Sequence, residues 1–534
     1  MDRRAVAGLV VGLVLAVPAG AQAHSSLTLQ TVTGMPASAA GPPATPYGYL
    51  NLHPQELARA KAAAQARGGG GKPGGGGSSG GPTVFTLSNV TPSFNALTQS
   101  GVTPPDTTGA IGPDRYIETV NTKYGIYTRS GSSVNSGSLS QLTGVSGGIF
   151  GYSLSDPQMM WDAQTQRFYY STVYYDASLS DTGLAVGWSK TATPASSSDF
   201  CKYRIGFGAD LPDYPKLGDS QDLVMYGYNL FGNGGNTYEG SEFATLNKPA
   251  AGATCPATSS FQVDFWAVAG ESTPVPANKV DDSASSGAGY VVTAPDVGGG
   301  GSATHLSVWT VTTADPTAAI KTANIPTVKH VTVSGFSLPP NAPQAGSSFV
   351  LDTLDGRLEA AVAATDPAHG NVTAVWTAHA VAGGGGSEER WYEIDPAAGT
   401  LVQQQGSVSD ANLSIWNGAI SPDRGGGTTG GRMAMSVSTS SSATDPAIQF
   451  VTKNGDGAQS ALTKLVQSTG PNVDFSCSST APCRWGDYSG AAPDPNPGST
   501  TLGRVWLGNQ YNVAGGSTSG TAWRTWLFGV TPMG

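Results

Sequence analysis

The sequence has few charged residues and, after its first 23 residues, no long apolar run. Asp, Glu, Lys and Arg make up 12% of 534 residues, and 27 basic against 37 acidic side chains give a formal net charge of −10. The basic residues form no cluster after the N-terminal arginines, whereas nucleic-acid binders need a basic surface that displaces counterions. Nucleic acid is therefore not expected as a partner, and no later run approaches the roughly 20 residues of a membrane span.

Motifs of hydrolases and metal sites are also scarce. The six histidines are scattered and no His-Glu-x-x-His motif occurs, so a zinc hydrolase is not expected. The pattern G-x-S-x-G occurs at residues 144–148 and again at 77–81, but neither copy has the flanking strand and helix of a nucleophile elbow. The sequence indicates no cofactor, although calcium would suit carboxylates that converge from several loops.

Only four cysteines are present, Cys201, Cys255, Cys477 and Cys483. An even number of cysteines in an exported chain indicates disulfides, and four cysteines allow three pairings. Proximity along the chain favours Cys201 with Cys255 and Cys477 with Cys483.

The N-terminus has the features of a secretory signal. Residues 1–23 combine Arg3 and Arg4, an apolar run from Ala5 to Val17, and the small-residue cleavage site Ala21-Gln22-Ala23. A retained anchor is the alternative. Free secretion with no membrane span in the mature chain is the expectation, and this places the protein outside the cell.

The chain then changes texture twice. Residues 24–82 form an Ala- and Gly-rich leader that includes a short helical pattern from His53 to Arg67 and ends in an almost pure glycine run. Such a segment cannot offset its ordering entropy by burial, so disorder is predicted for it. From residue 83 to 534 short Thr-, Val- and Tyr-rich strands alternate with turns, which indicates a single all-β domain.

A strand pattern recurs seven times in this domain, about 50 to 75 residues apart. Its copies begin at Arg115, Arg167, Asp222, Gly289, Arg357, Arg432 and Arg504. Several strands in each repeat, without amphipathic helices between them, predict a β-propeller with seven blades, or six if one copy closes the ring. An array of β-sandwiches is the alternative, but the region lacks linker-like breaks.

Four motifs carry a resemblance to a known group. They are Pro104-Pro105-Asp106 through Val120-Asn121, Ser155-Asp156-Pro157 through Phe168, Asp213-Tyr214-Pro215-Lys216-Leu217-Gly218, and Arg484-Trp485-Gly486-Asp487-Tyr488-Ser489. Together they resemble secreted bacterial β-propeller proteins of the sialidase-like fold group, most of which have no assigned activity. The resemblance implies the fold and export. It does not imply sialidase chemistry, because the Ser-x-Asp-x-Gly-x-Thr-Trp boxes are absent.

The loops of a propeller converge on the mouth of its central channel, so turn residues from different blades can form one site. The candidate ligand-binding residues are Asp106, Asp156, Asp213, Lys216, Arg484, Trp485, Asp487 and Tyr488. The acids could hold a cation or act as a general acid and base. They could equally fasten their own turns by accepting backbone N–H bonds.

Three functions remain open from the sequence. The first is an extracellular binding or scaffold protein that recognises a polysaccharide, another extracellular polymer or a protein at the channel mouth. The second is a glycoside hydrolase or polysaccharide lyase that uses paired Asp residues in the same place. The third is a purely structural propeller.

Overall fold

The computed structural model describes residues 27–32, 54–67, 81–98, 101–145, 151–250, 252–280, 287–403, 405–424, 431–495, 503–513 and 516–532. The strands, in chain order, are β1 (Leu29–Thr31), β2 (Thr83–Val84), β3 (Val90–Thr98), β4 (Thr108–Ile111), β5 (Arg115–Val120), β6 (Lys123–Thr128), β7 (Ser133–Ser138), β8 (Tyr152–Asp162), β9 (Arg167–Asp176), β10 (Thr182–Ser189), β11 (Phe200–Gly208), β12 (Leu211–Asp219), β13 (Leu223–Gly232), β14 (Thr237–Asn247), β15 (Val263–Ala267), β16 (Ser272–Pro276), β17 (Asn278–Lys279), β18 (Gly289–Ala294), β19 (Ser302–Val311), β20 (Thr327–Ser337), β21 (Ala360–Asp366), β22 (Val372–Gly383), β23 (Gly386–Asp395), β24 (Thr400–Leu401), β25 (Gly406–Val408), β26 (Ser414–Pro422), β27 (Arg432–Ser441), β28 (Thr444–Asn454), β29 (Thr463–Gln467), β30 (Gly490–Pro493), β31 (Val505–Asn512) and β32 (Trp523–Val530). The helices are α1 (Pro54–Arg67) and α2 (Leu139–Thr143), and short 3-10 turns occur at Ser197–Asp199, Thr258–Ser260 and Pro367–His369.

These strands form seven sheets, which are the blades of a β-propeller. In ring order, blade 1 is β4–β7, blade 2 is β8–β11, blade 3 is β12–β15, blade 4 is β16 with β18–β20, blade 5 is β21–β25, blade 6 is β26–β29, and blade 7 is β30–β32 with β3. Two short strands join these sheets, since β17 pairs with β21 of blade 5 and β2 pairs with β29 of blade 6. The first strand of each blade lies innermost, and the innermost strands of adjacent blades contact one another around the ring. The predicted all-β fold with seven blades is confirmed, and the six-bladed alternative is wrong.

Six of the seven predicted strand copies are the second strands of their blades, whereas the copy that begins at Arg357 falls on β21, the innermost strand of blade 5. The seven copies fall on β5, β9, β13, β18, β21, β27 and β31. A second strand is covered on both faces by the neighbouring blades, and every residue of β13 is buried. Close packing between blades also fixes some residue types: a Cβ added to Gly227 would lie 1.9 Å from the Pro274 carbonyl oxygen.

The ring is closed by a strand from the N-terminal side of the domain. β3 pairs with β32 as the outermost strand of blade 7, whose other three strands come from the C-terminal end of the chain. A propeller closed in this way cannot open without breaking the β3–β32 pairing.

Both predicted disulfides, Cys201–Cys255 and Cys477–Cys483, are confirmed.

Two segments of the predicted leader lie on the propeller. β1 adds a fifth strand to the edge of blade 2 by pairing with β11, and α1 packs against blade loops. The prediction of disorder therefore fails for these two segments. The predicted signal sequence, residues 1–23, lies outside the described residues, as does most of the glycine run. Among the residues that the structure describes, no helix is both long enough and apolar enough to span a bilayer.

A buried glutamate links blades 1 and 7, between which the ring closes. Glu118 of blade 1 accepts a hydrogen bond from the backbone N–H of Leu97 in blade 7 at 3.1 Å, and one from the Tyr127 hydroxyl at 3.3 Å. Burial raises the pKa of Glu118 from 4.5 to about 7. The folded protein therefore keeps a proton that the unfolded chain loses between these pH values. The resulting stabilisation is complete below pH 4.5 and is lost as the pH rises through 7.

We expect the substitution Glu118→Gln to remove this pH dependence, because glutamine mimics the protonated acid. A pKa difference of this size corresponds to about 3 kcal/mol. We compare the free energy of unfolding of the variant with that of wild type. The variant should gain about 2 to 3 kcal/mol of stability relative to wild type when the pH is raised from 4.5 to 8. Urea unfolding at both pH values measures it, with Glu239→Gln on an exposed hairpin as the control. An equal difference between variant and wild type at both pH values would contradict the assignment.

Candidate functional site

Each blade has one non-glycine residue with a left-handed backbone at the start of its innermost segment. The seven residues, with φ between 48° and 61°, are Asp106, Asp156, Tyr214, Thr273, Leu354, Asn417 and Asp487. In β8, β12, β16 and β26 this residue lies at a break in the strand register, which is the signature of a β-bulge. The bulges mark one level of the ring, which we call the mouth of the channel.

The mouth brings the four predicted aspartates to one pocket. Asp106, Asp156, Asp213 and Asp487 line it together with Asn121 and Arg484. Asp106 accepts a hydrogen bond from the Asn121 side-chain amide at 2.6 Å, and the side-chain Oδ1 atom of Asn121 accepts one from the Asp156 backbone N–H at 2.8 Å. The pocket is narrow, with room for about one water molecule. The structure therefore brings the four aspartates together, and their role in ligand binding stays a prediction.

The four acids differ in exposure. Asp106 and Asp487 are buried, and Asp487 forms an ion pair with Arg484. Asp156 and Asp213 are half-buried and face the pocket. Hence Asp156, Asp213 and the half-buried Arg484 are the groups at this site that an incoming ligand can reach.

Two stacked tyrosines close the channel below the pocket. The rings of Tyr214 and Tyr488 lie 4.6 Å apart between centroids. The Tyr488 hydroxyl donates to Asp156 at 2.7 Å, and the Tyr214 hydroxyl donates to the backbone oxygen of Asp487 at 2.9 Å. The Nζ atom of Lys216 lies 4.1 Å from the centroid of the Tyr214 ring and 3.9 Å from that of the Tyr488 ring. It donates a hydrogen bond to the Glu359 backbone oxygen at 2.6 Å. Because Lys216 is buried beneath the rings, it does not reach the mouth.

Burial sets the protonation of these groups. It raises the pKa of Asp106 well above its usual range, and the nearby carboxylates of Asp487 and Asp156 raise it further. Burial also raises the pKa of Asp213, to which Asp156 adds. The pKa of Asp487 rises only to about 6, because the Arg484 guanidinium opposes the effect of burial. Burial lowers the pKa of Lys216 to about 7. The pocket therefore holds neighbouring acids whose pKa values are raised to different extents.

Trp485 has a structural position. Its ring is fully buried against Trp416, and its indole N–H donates to the Ser438 hydroxyl at 3.0 Å. It cannot offer a stacking surface, which corrects its assignment as a ligand-binding residue. The next residue must be glycine, because Gly486 has φ of +74° and a Cβ there would lie 2.4 Å from the Asn417 side chain.

Two long loops hold this region in place. The loop before β21 and the loop before β30 meet through backbone bonds, from Asp352 N–H to the Cys483 oxygen at 2.9 Å and from Cys483 N–H to the Val350 oxygen at 2.8 Å. The disulfide Cys477–Cys483 lies within the second loop. Arg484 and Asp487 therefore lie immediately after a turn that a disulfide cross-links.

Helix α1 forms one side of the mouth, a feature that the sequence did not reveal. Lys61 is buried and its Nζ donates to the Thr353 hydroxyl at 2.7 Å. Burial lowers the pKa of Lys61 to about 8, although the carboxylates of Asp352 and Asp355 oppose this. The Asp352 charge also acts on Arg484, so the helix adjoins the acidic pocket.

We expect Lys61→Glu to release α1 from the mouth, because it places a third carboxylate beside Asp352 and Asp355. Amide hydrogen exchange across residues 56–66 should become much faster in this variant. Arg59→Glu makes the same charge change on the exposed face of the helix and should leave exchange unchanged. Equal exchange in both variants would mean that Lys61 does not hold the helix.

The calcium prediction remains a prediction. Two groups of described residues place metal-ligating atoms of three side chains within 4.8 Å of one another, and the mouth acids belong to neither group.

No family model and no protein of curated function matches this chain. Solved structures similar to it include the extracellular domains 1–2 of Drosophila semaphorin 1b, with 7% identity, 80% of this chain and 85% of that chain covered, and a TM-score of 0.35. The endosialidase of phage phi92 has 8% identity, 82% and 69% coverage and a TM-score of 0.36. An α-L-arabinofuranosidase of Fusarium graminearum has 10% identity, 82% and 98% coverage and a TM-score of 0.34.

Proposed function

We propose that the protein binds a carbohydrate, or another polyhydroxylated extracellular polymer, at the mouth of its channel. The observation that carries this proposal is the convergence of Asp156, Asp213 and Arg484, each half-buried, on one narrow pocket with a closed floor. Carboxyl groups accept hydrogen bonds from sugar hydroxyls and a guanidinium donates them, so the three groups suit a polyhydroxylated ligand. Because the pocket is narrow, the ligand inserts one polar group and rests on the rim.

The charge of the site narrows the class of ligand. Four acids and one arginine line the pocket, and the chain carries a net charge of −10. A polyanionic glycan would meet like charge there, so a neutral or amino-bearing polysaccharide is the better partner. The aromatic side chains Tyr214, Tyr488 and Trp485 are buried. Binding therefore depends on polar contacts rather than on ring stacking.

An extracellular location agrees with this function. Disulfides such as Cys201–Cys255 and Cys477–Cys483 persist in oxidising compartments, which include the outside of the cell. Secretion as directed by residues 1–23 is part of the proposal. So is an extracellular polysaccharide, rather than a protein, as the partner.

A glycan array and polysaccharide pull-downs test the proposal, in calcium and in chelator. We expect Asp213→Ala to weaken binding about fivefold, since a hydrogen bond between uncharged groups contributes about 1 kcal/mol. The matched control is Asp114→Ala, which removes an exposed acid from the turn between β4 and β5. Equal binding by wild type, Asp213→Ala and Asp114→Ala would contradict the proposed site. If wild type binds no glycan, the protein is better described as a purely structural propeller.

Hydrolysis is the second candidate function, because the pocket pairs two acids that a ligand can reach, Asp156 and Asp213, and the pKa of Asp213 is raised well above its usual range. Asp213→Asn separates the two functions. Asparagine keeps the shape and hydrogen bonding of a protonated acid but cannot deliver a proton. If the protein only binds, this variant binds and wild type releases no sugar. If it is a hydrolase, wild type releases sugar and the variant binds without releasing any.

A further inference from the structure

Blade 4 carries two histidines and a glutamate that lie close together, outside the mouth pocket. His305 is on β19, His330 is on β20, and Glu271 lies in the turn before β16. The His305 Nε2 atom is 3.2 Å from Glu271 Oε1, and His330 Nδ1 is 3.8 Å from the same oxygen. The two imidazole rings are 5.1 Å apart between centroids.

The strand register explains why residues 25 positions apart in the chain become neighbours. Ser307 pairs with His330, and His305 pairs with Thr332. Since alternate residues of a strand share a face, His305, Ser307 and His330 lie on one face of the β19–β20 pair. Scattered histidines in the sequence are therefore adjacent in the sheet.

We propose that Glu271, His305 and His330 form a binding site for a divalent transition-metal ion, with zinc as the best fit. Two imidazoles and one carboxylate, with a fourth position left for water, form a common set of zinc ligands. Metal–ligand distances of about 2.0 to 2.2 Å place tetrahedral ligand atoms about 3.5 Å apart. One ligand atom from each of the three side chains already lies within 4.8 Å of the others, so small side-chain rotations close the site.

The state of Glu271 is an independent observation that points to a cation. Its side chain is only 4% exposed, and its Oε2 atom has no hydrogen-bond partner among the described residues. A buried carboxylate oxygen without a partner is costly, and a cation bound by both oxygens of the Glu271 carboxylate would satisfy it. The histidines are more open, with side chains 38% and 65% exposed, so an ion can enter from solvent and water can fill its fourth position.

Ser307 contacts both Glu271 and His330. Its hydroxyl donates to Glu271 Oε1 at 2.6 Å and lies 2.8 Å from His330 Nδ1. A hydroxyl that holds the carboxylate in place is the outer-shell partner typical of metal sites. When the metal binds, His330 releases its contact with Ser307, carries its single ring proton on Nε2 and presents the Nδ1 lone pair to the ion. Imidazole and carboxylate ligands favour zinc, nickel or copper over calcium and magnesium, which prefer oxygen ligands alone.

The test is a calorimetric titration of the chelator-treated full-length protein with Zn²⁺, repeated with Co²⁺. We expect His330→Gln and Glu271→Gln each to lose one equivalent of bound metal, or to weaken it at least tenfold. The matched control is His369→Gln, which removes a histidine from the separate group Asp366, His369 and Glu393. It should retain the equivalent that the other two variants lose.

Thermal unfolding in the absence of metal shows whether the variants are folded. The His330 side chain is mostly exposed, so His330→Gln should unfold at the wild-type temperature without metal, and should lose the stabilisation that Zn²⁺ gives to wild type. Wild type that binds no metal would overturn the proposal. So would His330→Gln that binds as many equivalents as wild type, or a loss that occurs only in His369→Gln.

Discussion

Replacing Trp485 with alanine is expected to lower the free energy of unfolding by about 3 to 5 kcal/mol, the usual cost of deleting a buried tryptophan side chain. The ring fills the space between the two long mouth loops and packs with Trp416, Leu351 and Cys483. Its loss also leaves the Ser438 hydroxyl without the indole N–H donor. Denaturant unfolding of wild type and variant measures the difference.

The half-buried Trp266, on the outermost strand of blade 3, provides a matched control. Trp266→Ala should cost clearly less than Trp485→Ala, because less of its surface is removed from water. Trp485→Phe should fall between wild type and Trp485→Ala, since it keeps part of the packing but loses the hydrogen bond. A Trp485→Ala protein as stable as wild type, yet unable to bind ligand, would restore the ring to the role of a ligand platform.

Removing β3 is expected to have the second large effect. A chain that begins at residue 100 lacks the strand that closes the ring and leaves the long edge of β32 unpaired. It also loses the bonds from Trp526 to Ser93 at 2.8 Å and from Thr525 to Leu97 at 3.0 Å. An unpaired edge of this kind invites association between chains. We expect no cooperative thermal transition and early elution in size-exclusion chromatography.

A chain that begins at residue 82 is the control, because it keeps both β2 and β3. It should unfold cooperatively and elute as the full-length protein does. A synthetic peptide covering residues 88–99, added to the shorter chain, should restore a cooperative transition by occupying the empty edge. A chain from residue 100 that unfolds at the temperature of the longer one would show that the ring does not depend on β3.

The fold could be predicted because the second strands of the blades are buried on both faces. Continuous apolar runs such as β9 and β13 therefore stand out in the sequence. The innermost segments do not, since they carry proline, aspartate or a left-handed residue where a strand pattern would be expected. Helix α1 was also missed as part of the structure. Its Ala-rich sequence gives little sign of a packed face, and the one lysine that anchors it resembles any solvated lysine.

The candidate site could be predicted only in part, for related reasons. Asp106, Asp156 and Asp487 have the left-handed backbone of the mouth and Asp213 lies beside such a residue, so turn chemistry revealed them. The burial of Trp485 and Lys216 could not be predicted, because it depends on which side of the channel a loop residue faces. Asn121 lay within a recognised motif without a role. The proximity of His305 and His330 depends on the register of β19 and β20, which the sequence does not specify.

The most direct test of the mouth site is the affinity for the strongest array ligand, measured by calorimetry for wild type, Asp156→Asn, Asp213→Ala and the double variant. Asparagine suits the left-handed backbone of residue 156 and still accepts the Tyr488 hydroxyl. We predict that both single variants bind more weakly and that the double variant loses less than the sum of the two in free energy, because both groups hold one ligand. Affinities equal to wild type in all three variants would contradict a ligand site at the mouth.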